Sequence, residues 1–148
     1  MIVLDTTILV YGVGADHPLR EPCRAIVDAV GEGALSATTT VEVIQEFAHV
    51  RSRRRDPADA HRLAVTYVDL LSPLVSPNAD DLRRGLEIFG TGGSLGAFDA
   101  VLAATVERRD HLTALVSADR AFGTLPSIRH VDPADASAVR DLLEPPAG

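Results

Sequence analysis

The sequence predicts an α/β fold, a central parallel sheet of about five strands flanked by helices. Short apolar runs alternate with longer segments of helical period, the pattern made by parallel strands joined through helical crossovers. A chain of 148 residues, 46% hydrophobic and 24% charged, suffices for one domain with a sizeable core, and a single domain over 1–148 is expected. Acidic residues close several of the apolar runs, and the carboxyl ends of strands are where open parallel sheets place their ligand crevice.

Taken in order, MIVL is the first strand, followed by a turn around Thr6 and Thr7. A helix within Pro18 to Val30 comes next, ended by Gly31 or Gly33. ALSAT is a short second strand leading into a helix from about Thr40 to Ser52. RSRRRDP breaks that pattern, and Pro57 starts a helix from about Ala58 to Leu71. SPLVSP reads as a third strand bounded by prolines, and NADDLRRGLEIFG as a helix with Asn78 as N-cap. After the flexible GTGGSLG comes a helix containing Asp99, then LTALVS as the fourth strand and SIRHV as a short fifth. DPADASAVRDLL is the final helix, and the Pro-Pro-Ala-Gly end is expected to fray.

The apolar start lacks a positively charged leading region and is interrupted by Asp5, so it does not read as a signal peptide. With no long apolar run elsewhere, a cytoplasmic protein without membrane segments is expected. The single cysteine, Cys23, rules out an intrachain disulfide framework and a thiolate metal site, and its apolar neighbours mark it as core. A formal charge of −7 argues against nucleic-acid binding by the whole surface, because phosphate contacts need Lys and Arg. It leaves room for a local basic patch, and bound divalent metal would neutralise much of the acidity at a site.

Asp5, Glu46, Asp99 and Asp119 lie at or just past the ends of otherwise apolar segments. Burying an ionised carboxylate without a partner is costly, so four such acids point to a shared counter-ion. Asp5 and Asp119 would face one crevice if the first and fourth strands are neighbours. Asp99 shares a helix face with Leu102, Ala103 and Val106, and so points inward; satisfying free N–H groups in the first helical turn is the alternative reading. Glu46 borders the stripe of Val43, Phe47 and Val50, four residues after Glu42, on a flank that would otherwise read as a solvated helix face. Converging carboxylates select a hard cation such as Mg2+ or Mn2+. The five histidines show no paired ligand spacing, which disfavours zinc. A carboxylate-held hard metal suits phosphoryl chemistry, with phosphodiester hydrolysis the simplest case.

DTTILVYG, QEFAHVRSRR, FDAVLAATVERR and LVSADRAFG, in that order and spacing, resemble the four signature segments of PIN-domain nucleases, and particularly the VapC-type toxins of bacterial toxin-antitoxin pairs. The resemblance covers Met1 to about Val131. It implies a PIN fold and a metal-dependent endoribonuclease in which Asp5, Glu46, Asp99 and Asp119 fill the acidic positions. Asp5, Asp99 and Asp119 would then hold Mg2+ or Mn2+, directly or through water, with Glu46 orienting water or acting as base. Thr7 and Ser117 stand where hydroxyl or amide side chains support such a site, although the family often has Asn or Ser where this chain has Thr7. Glu42 competes with Glu46 for the second acid. The FAHVRSRR run after Glu46 favours the latter.

An acidic nuclease must still attract RNA, and Arg51, Arg53, Arg54 and Arg55 form the candidate patch, with Arg108 and Arg109 a second. The competing reading is a helix terminus whose arginines complement the dipole. With aromatics at 4%, stacking platforms for single strands should be few. The resemblance further implies a cognate VapB-type antitoxin and a homodimer; Val65, Val68 and Leu71 offer an apolar stripe that serves either a partner or the core. Two other classes remain. A receiver or phosphatase domain is opposed by the missing second Asp in DTTIL and the lack of a Lys near the fifth strand. A catalytically inactive PIN-like binding scaffold is opposed by retention of all four mutually repelling acids.

Overall fold

A computed structural model describes residues 1–144. The Pro-Pro-Ala-Gly end lies outside the described residues. The order is β1 (Ile2–Leu4), α1 (Thr6–Gly12), α2 (Arg20–Gly31), β2 (Ala37–Thr38), α3 (Val41–Arg54), α4 (Pro57–Leu71), α5 (Ala79–Gly90), α6 (Ala97–Glu107), β3 (Ala114–Val116), a 3-10 turn (Arg120–Thr124), β4 (His130–Val131) and α7 (Ala136–Leu143). The four strands pair in the order β2-β1-β3-β4, all parallel. Leu4 is in register with Val116, so the first strand and the expected fourth are indeed neighbours.

Two elements differ from the sequence reading. Thr6 and Thr7 do not form a turn; they open α1, whose Ile8 and Leu9 are fully buried. Nothing between Thr6 and Tyr11 breaks a helix, and Asp5 takes the extended N-cap conformation. The expected third strand contributes a single parallel bridge, Thr40 to Val75, with Val75 N–H donating to Thr39. Pro73 and Pro77 bracket it and have no N–H for a ladder, so pairing stops after one residue.

Helix starts follow their capping residues. Thr40 Oγ1 accepts from Val43 N–H at the head of α3, and Asp56 caps α4 ahead of Pro57. Asn78 and Asp81 form a reciprocal capping box on α5. Phe47 of α3 meets Tyr67 of α4 edge-on at 5.0 Å, while Leu4, Ile8, Leu115, Val116 and Phe122 fill the space beside the sheet. α5 lies close on α6: a Cβ at Gly85 would come within 2.6 Å of the Val101 backbone, so glycine permits the approach.

Asp81 clamps those two helices. Its side chain is 1% exposed and accepts from Arg108 Nε at 3.1 Å and Arg109 Nη2 at 2.8 Å. Burial alone would raise its pKa, but the hydrogen bonds from Arg109 and the Asn78 backbone hold it below the ordinary carboxylate value. The second basic patch expected for RNA is therefore the partner set of a buried acid. Leu71 is core, Val68 is partly buried and Val65 stays exposed. Cys23 is buried, and desolvation with the nearby charge of Asp132 pushes its thiol up to about 12, consistent with a packing role. No helix among the described residues is long and apolar enough to cross a membrane.

Candidate active site

The chain enters β1 at the centre of the sheet, with β2 on one side and β3 on the other, so the sheet's order reverses at β1. At such a switch point the connections leave in opposite directions and open a crevice beyond the carboxyl ends of the strands. Asp5 follows β1 at that crevice, and Ser117 follows β3 directly beside it. Asp5 N–H bonds to Val116 O, continuing the strand pairing.

A cleft of about 250 Å³ is lined by Asp5, Glu46, Asp99 and Asp119 together with Thr6, Thr7, Val10, Tyr11, Val50 and Arg54. All four expected acids thus share one cavity, contributed by β1, α3, α6 and the segment after β3. Asp5 is 3% exposed. Its Oδ2 accepts from Ser117 Oγ at 2.6 Å and from Thr7 Oγ1 at 2.9 Å. Thr7 Oγ1 in turn accepts from Ala118 N–H, and Ser117 Oγ accepts from Asp119 N–H, both at 3.0 Å. The two expected supporting hydroxyls therefore fasten Asp5 to the loop after β3. Asp119 Oδ1 accepts from Ala121 N–H and caps the 3-10 turn, which leaves its other oxygen free of that bond.

Glu46 rather than Glu42 reaches the cleft. Its Oε2 accepts from Thr6 Oγ1 at 2.6 Å. Thr6 is the supporting residue that sequence reasoning missed; the only signal was a second hydroxyl beside Thr7. Glu42, one turn earlier, lines a separate apolar groove with Leu82, Leu86, Phe98 and Val101, and its Oε2 is buried without a hydrogen-bond partner among the described residues.

Asp99, in the first turn of α6, has its carboxyl pushed up to about 7 by burial and then by the charges of Asp5, Asp119 and Glu46. A carboxyl raised by burial and by like charges around it marks a site short of positive charge. The donors are carboxylate and hydroxyl oxygens throughout, which fits a hard divalent cation. Among the described residues no three His, Cys, Asp or Glu side chains come close enough to hold an ion by themselves. Mg2+ commonly keeps several waters and only one or two direct carboxylates, so this spacing suits it better than a fully protein-held ion.

The basic run divides. The Arg51 guanidinium is committed to Asp59 and donates to Val13 O, tying α3 to α4 and to the end of α1. Arg53, Arg54 and Arg55 are exposed, and of these Arg54 lines the acid cleft.

A parallel sheet of this order with acids converging at its switch point is compatible with a PIN domain, and the PIN domain family model matches residues 2–127; the chain belongs to that family. Among characterised proteins it is 52% identical to ribonuclease VapC7 of Mycobacterium tuberculosis over 144 residues, 97% of this chain and 98% of that protein. It is 31% identical to ribonuclease VapC13 of the same organism over 134 residues, 88% and 99% of the two chains. Two solved structures share the fold at low identity. FitAcB from Neisseria gonorrhoeae superposes with a TM-score of 0.71 at 16% identity, over 91% of this chain and 99% of that one. Mycobacterium tuberculosis VapC20, described as a sarcin-ricin loop cleaving toxin, gives 0.66 at 14% identity, over 87% and 99%.

Proposed function

We propose that this chain is an Mg2+- or Mn2+-dependent endoribonuclease, the toxin of a VapBC-type toxin-antitoxin pair. The observation that carries the reading is the shared cleft of four acids, in which burial and then the charges of the other three raise the pKa of Asp99. The 52% identity to a VapC ribonuclease over nearly the whole chain supports the RNA-cleaving and toxin assignments. Asp5, Asp99 and Asp119 would hold the metal, directly or through water. Bound there, it would neutralise charge on the scissile phosphate and lower the pKa of water. Thr7 and Ser117 keep Asp5 aimed into the cleft. Glu46, which accepts a hydrogen bond from Thr6, would orient the attacking water or take its proton. In-line attack breaks the P–O3′ bond and leaves a 5′ phosphate and a 3′ hydroxyl.

Purified protein incubated with a mixed pool of structured RNAs should cleave with Mg2+ or Mn2+ and not in EDTA. Adding the product of the adjoining reading frame should suppress cleavage if that product is the antitoxin. A folded protein that cleaves no RNA with either metal would leave the inactive scaffold as the better reading.

We also propose a homodimer. Leu82, Leu86 and Phe89 of α5 and Phe98 of α6 are each 39–48% exposed, an unusual concentration of large apolar side chains on one pair of packed helices. Light scattering should give twice the chain mass, falling to one chain in Leu86→Glu; a monomeric wild type would refute it.

A further inference from the structure

Beside the acid cleft lies a second cavity of about 200 Å³, lined by Val10, Gly14, Phe47, Val50 and the arginines 51, 54 and 55. Val10, Val50 and Arg54 line both cavities, so the two are contiguous through the Arg54 side chain. Arg51 is paired with Asp59 and bonded to Val13 O, so the free cationic charge of this second cavity comes from the exposed Arg54 and Arg55. Tyr11 also lines the acid cleft, the only aromatic among the described residues to do so. Tyr11 is half-buried and its ring stacks on exposed His17, with centroids 4.5 Å apart and planes 27° from parallel. His17 is itself held, because its Nδ1 accepts from Leu19 N–H at 3.1 Å.

A cleft that adjoins an arginine-lined cavity and is itself lined by a ring of an aromatic stack has the two parts that position single-stranded nucleic acid: a phosphate holder and a base platform. We propose that Tyr11 and His17 form a base-stacking subsite, and that Arg54, with Arg55 beside it, holds a phosphate neighbouring the scissile one. An unpaired base continues the Tyr11–His17 stack while the backbone crosses the acids toward the arginine cavity. The inference rests on the RNA-cleaving reading and narrows it: a base must leave its helix to stack there, so cleavage falls in loops, bulges or single strands and not within a duplex. One side of Tyr11 packs against the core while the residue stays partly exposed, and His17 is exposed, so the stack reaches solvent beside the acids.

The test reads binding apart from turnover. Single-stranded RNA decamers of mixed sequence, carrying the fluorescent base 2-aminopurine at successive positions, are titrated into the Asp99→Asn protein so that they stay intact. Stacking on an aromatic ring quenches this base, and the expected result is quenching at a restricted set of positions. Tyr11→Phe should keep both quenching and affinity. Tyr11→Leu should lose the quenching and weaken binding about tenfold, the scale of one lost base stack. Arg54→Ala should weaken binding, lower its salt dependence by close to one phosphate, and leave the quenching at saturation intact. If Tyr11→Leu proves misfolded by circular dichroism, the exposed His17→Ala variant carries the same test, with reduced quenching expected. Unchanged quenching and affinity in these variants, binding with no quenching at any position, or no binding at all would overturn the subsite. Failure of the nuclease reading is separate: it appears as RNA bound and quenched but never cut by the unsubstituted protein.

Discussion

Asp99→Asn is expected to abolish RNA cleavage, by about a thousandfold or more, while raising the melting temperature of the metal-free protein by about 3 °C. The two effects have one cause. Asp99 sits among Asp5, Asp119 and Glu46, partly removed from water, and its carboxyl is pushed up to about 7. Between the ordinary aspartate value near 4 and about 7, the unfolded chain gives up this proton while the folded chain keeps it. The native state then binds more protons, so stability falls as pH rises through that window. In the metal-free protein the Asp99 contribution is therefore most favourable below about pH 4 and is lost by neutral pH, unlike an acid stabilised by ion pairing. Asparagine fills the same space without the charge and removes the repulsion. The checks are cleavage of a substrate RNA at saturating metal, and thermal unfolding with EDTA from pH 4 to 8. The gap in melting temperature between variant and wild type should widen with pH. Full activity in the variant would remove Asp99 from the mechanism, and a pH-independent gap would remove the electrostatic explanation.

Glu46→Gln should lower kcat about a hundredfold with the fold unchanged, whereas Glu42→Gln should leave kcat within about threefold of wild type. Both acids lie on α3 one turn apart, so composition and helix position do not distinguish them. Their surroundings do. Glu46 faces the acid cleft and is oriented by Thr6, while Glu42 faces the apolar groove beside Phe98 with one oxygen lacking a partner. The amide removes the proton-accepting oxygen from Glu46, but at partly buried Glu42 it changes a side chain that takes no part in the acid cleft and has one buried, unpartnered oxygen. Thr6→Val extends the argument, since it leaves the Glu46 charge in place without its orienting donor and should cost a smaller factor in kcat. A loss of activity in Glu42→Gln equal to that in Glu46→Gln would sink the assignment.

The parallel α/β class and most helix positions were legible because they depend on local rules: apolar runs, capping residues such as Thr40 and Asn78, and a proline at the head of α4. The four acids were legible for a different reason. A carboxylate next to a buried apolar run is disfavoured by desolvation, so its presence marks a site even before the partners are known. Local rules failed where pairing decided the outcome. Leu74 and Val75 have strand character but form one bridge, because flanking prolines leave too few donors for a ladder. The arginines show the same limit. Arg51, Arg54, Arg108 and Arg109 look alike in sequence, yet Arg108 and Arg109 serve Asp81, Arg51 serves Asp59, and Arg54 stands at the cleft.

The sequence by itself determined the kinds of groups available: acids closing apolar segments, hydroxyls beside them, and no paired histidine or cysteine set. Only the tertiary structure decided which groups meet. Setting β1 beside β3 placed Ser117 on Asp5 and the Ala118 N–H on Thr7, and packing α3 and α6 against that edge turned Glu46 and Asp99 inward. Secondary structure follows contacts within a few residues, whereas a charge's partner is set by residues up to 112 positions away, and that distance closes only when the chain folds.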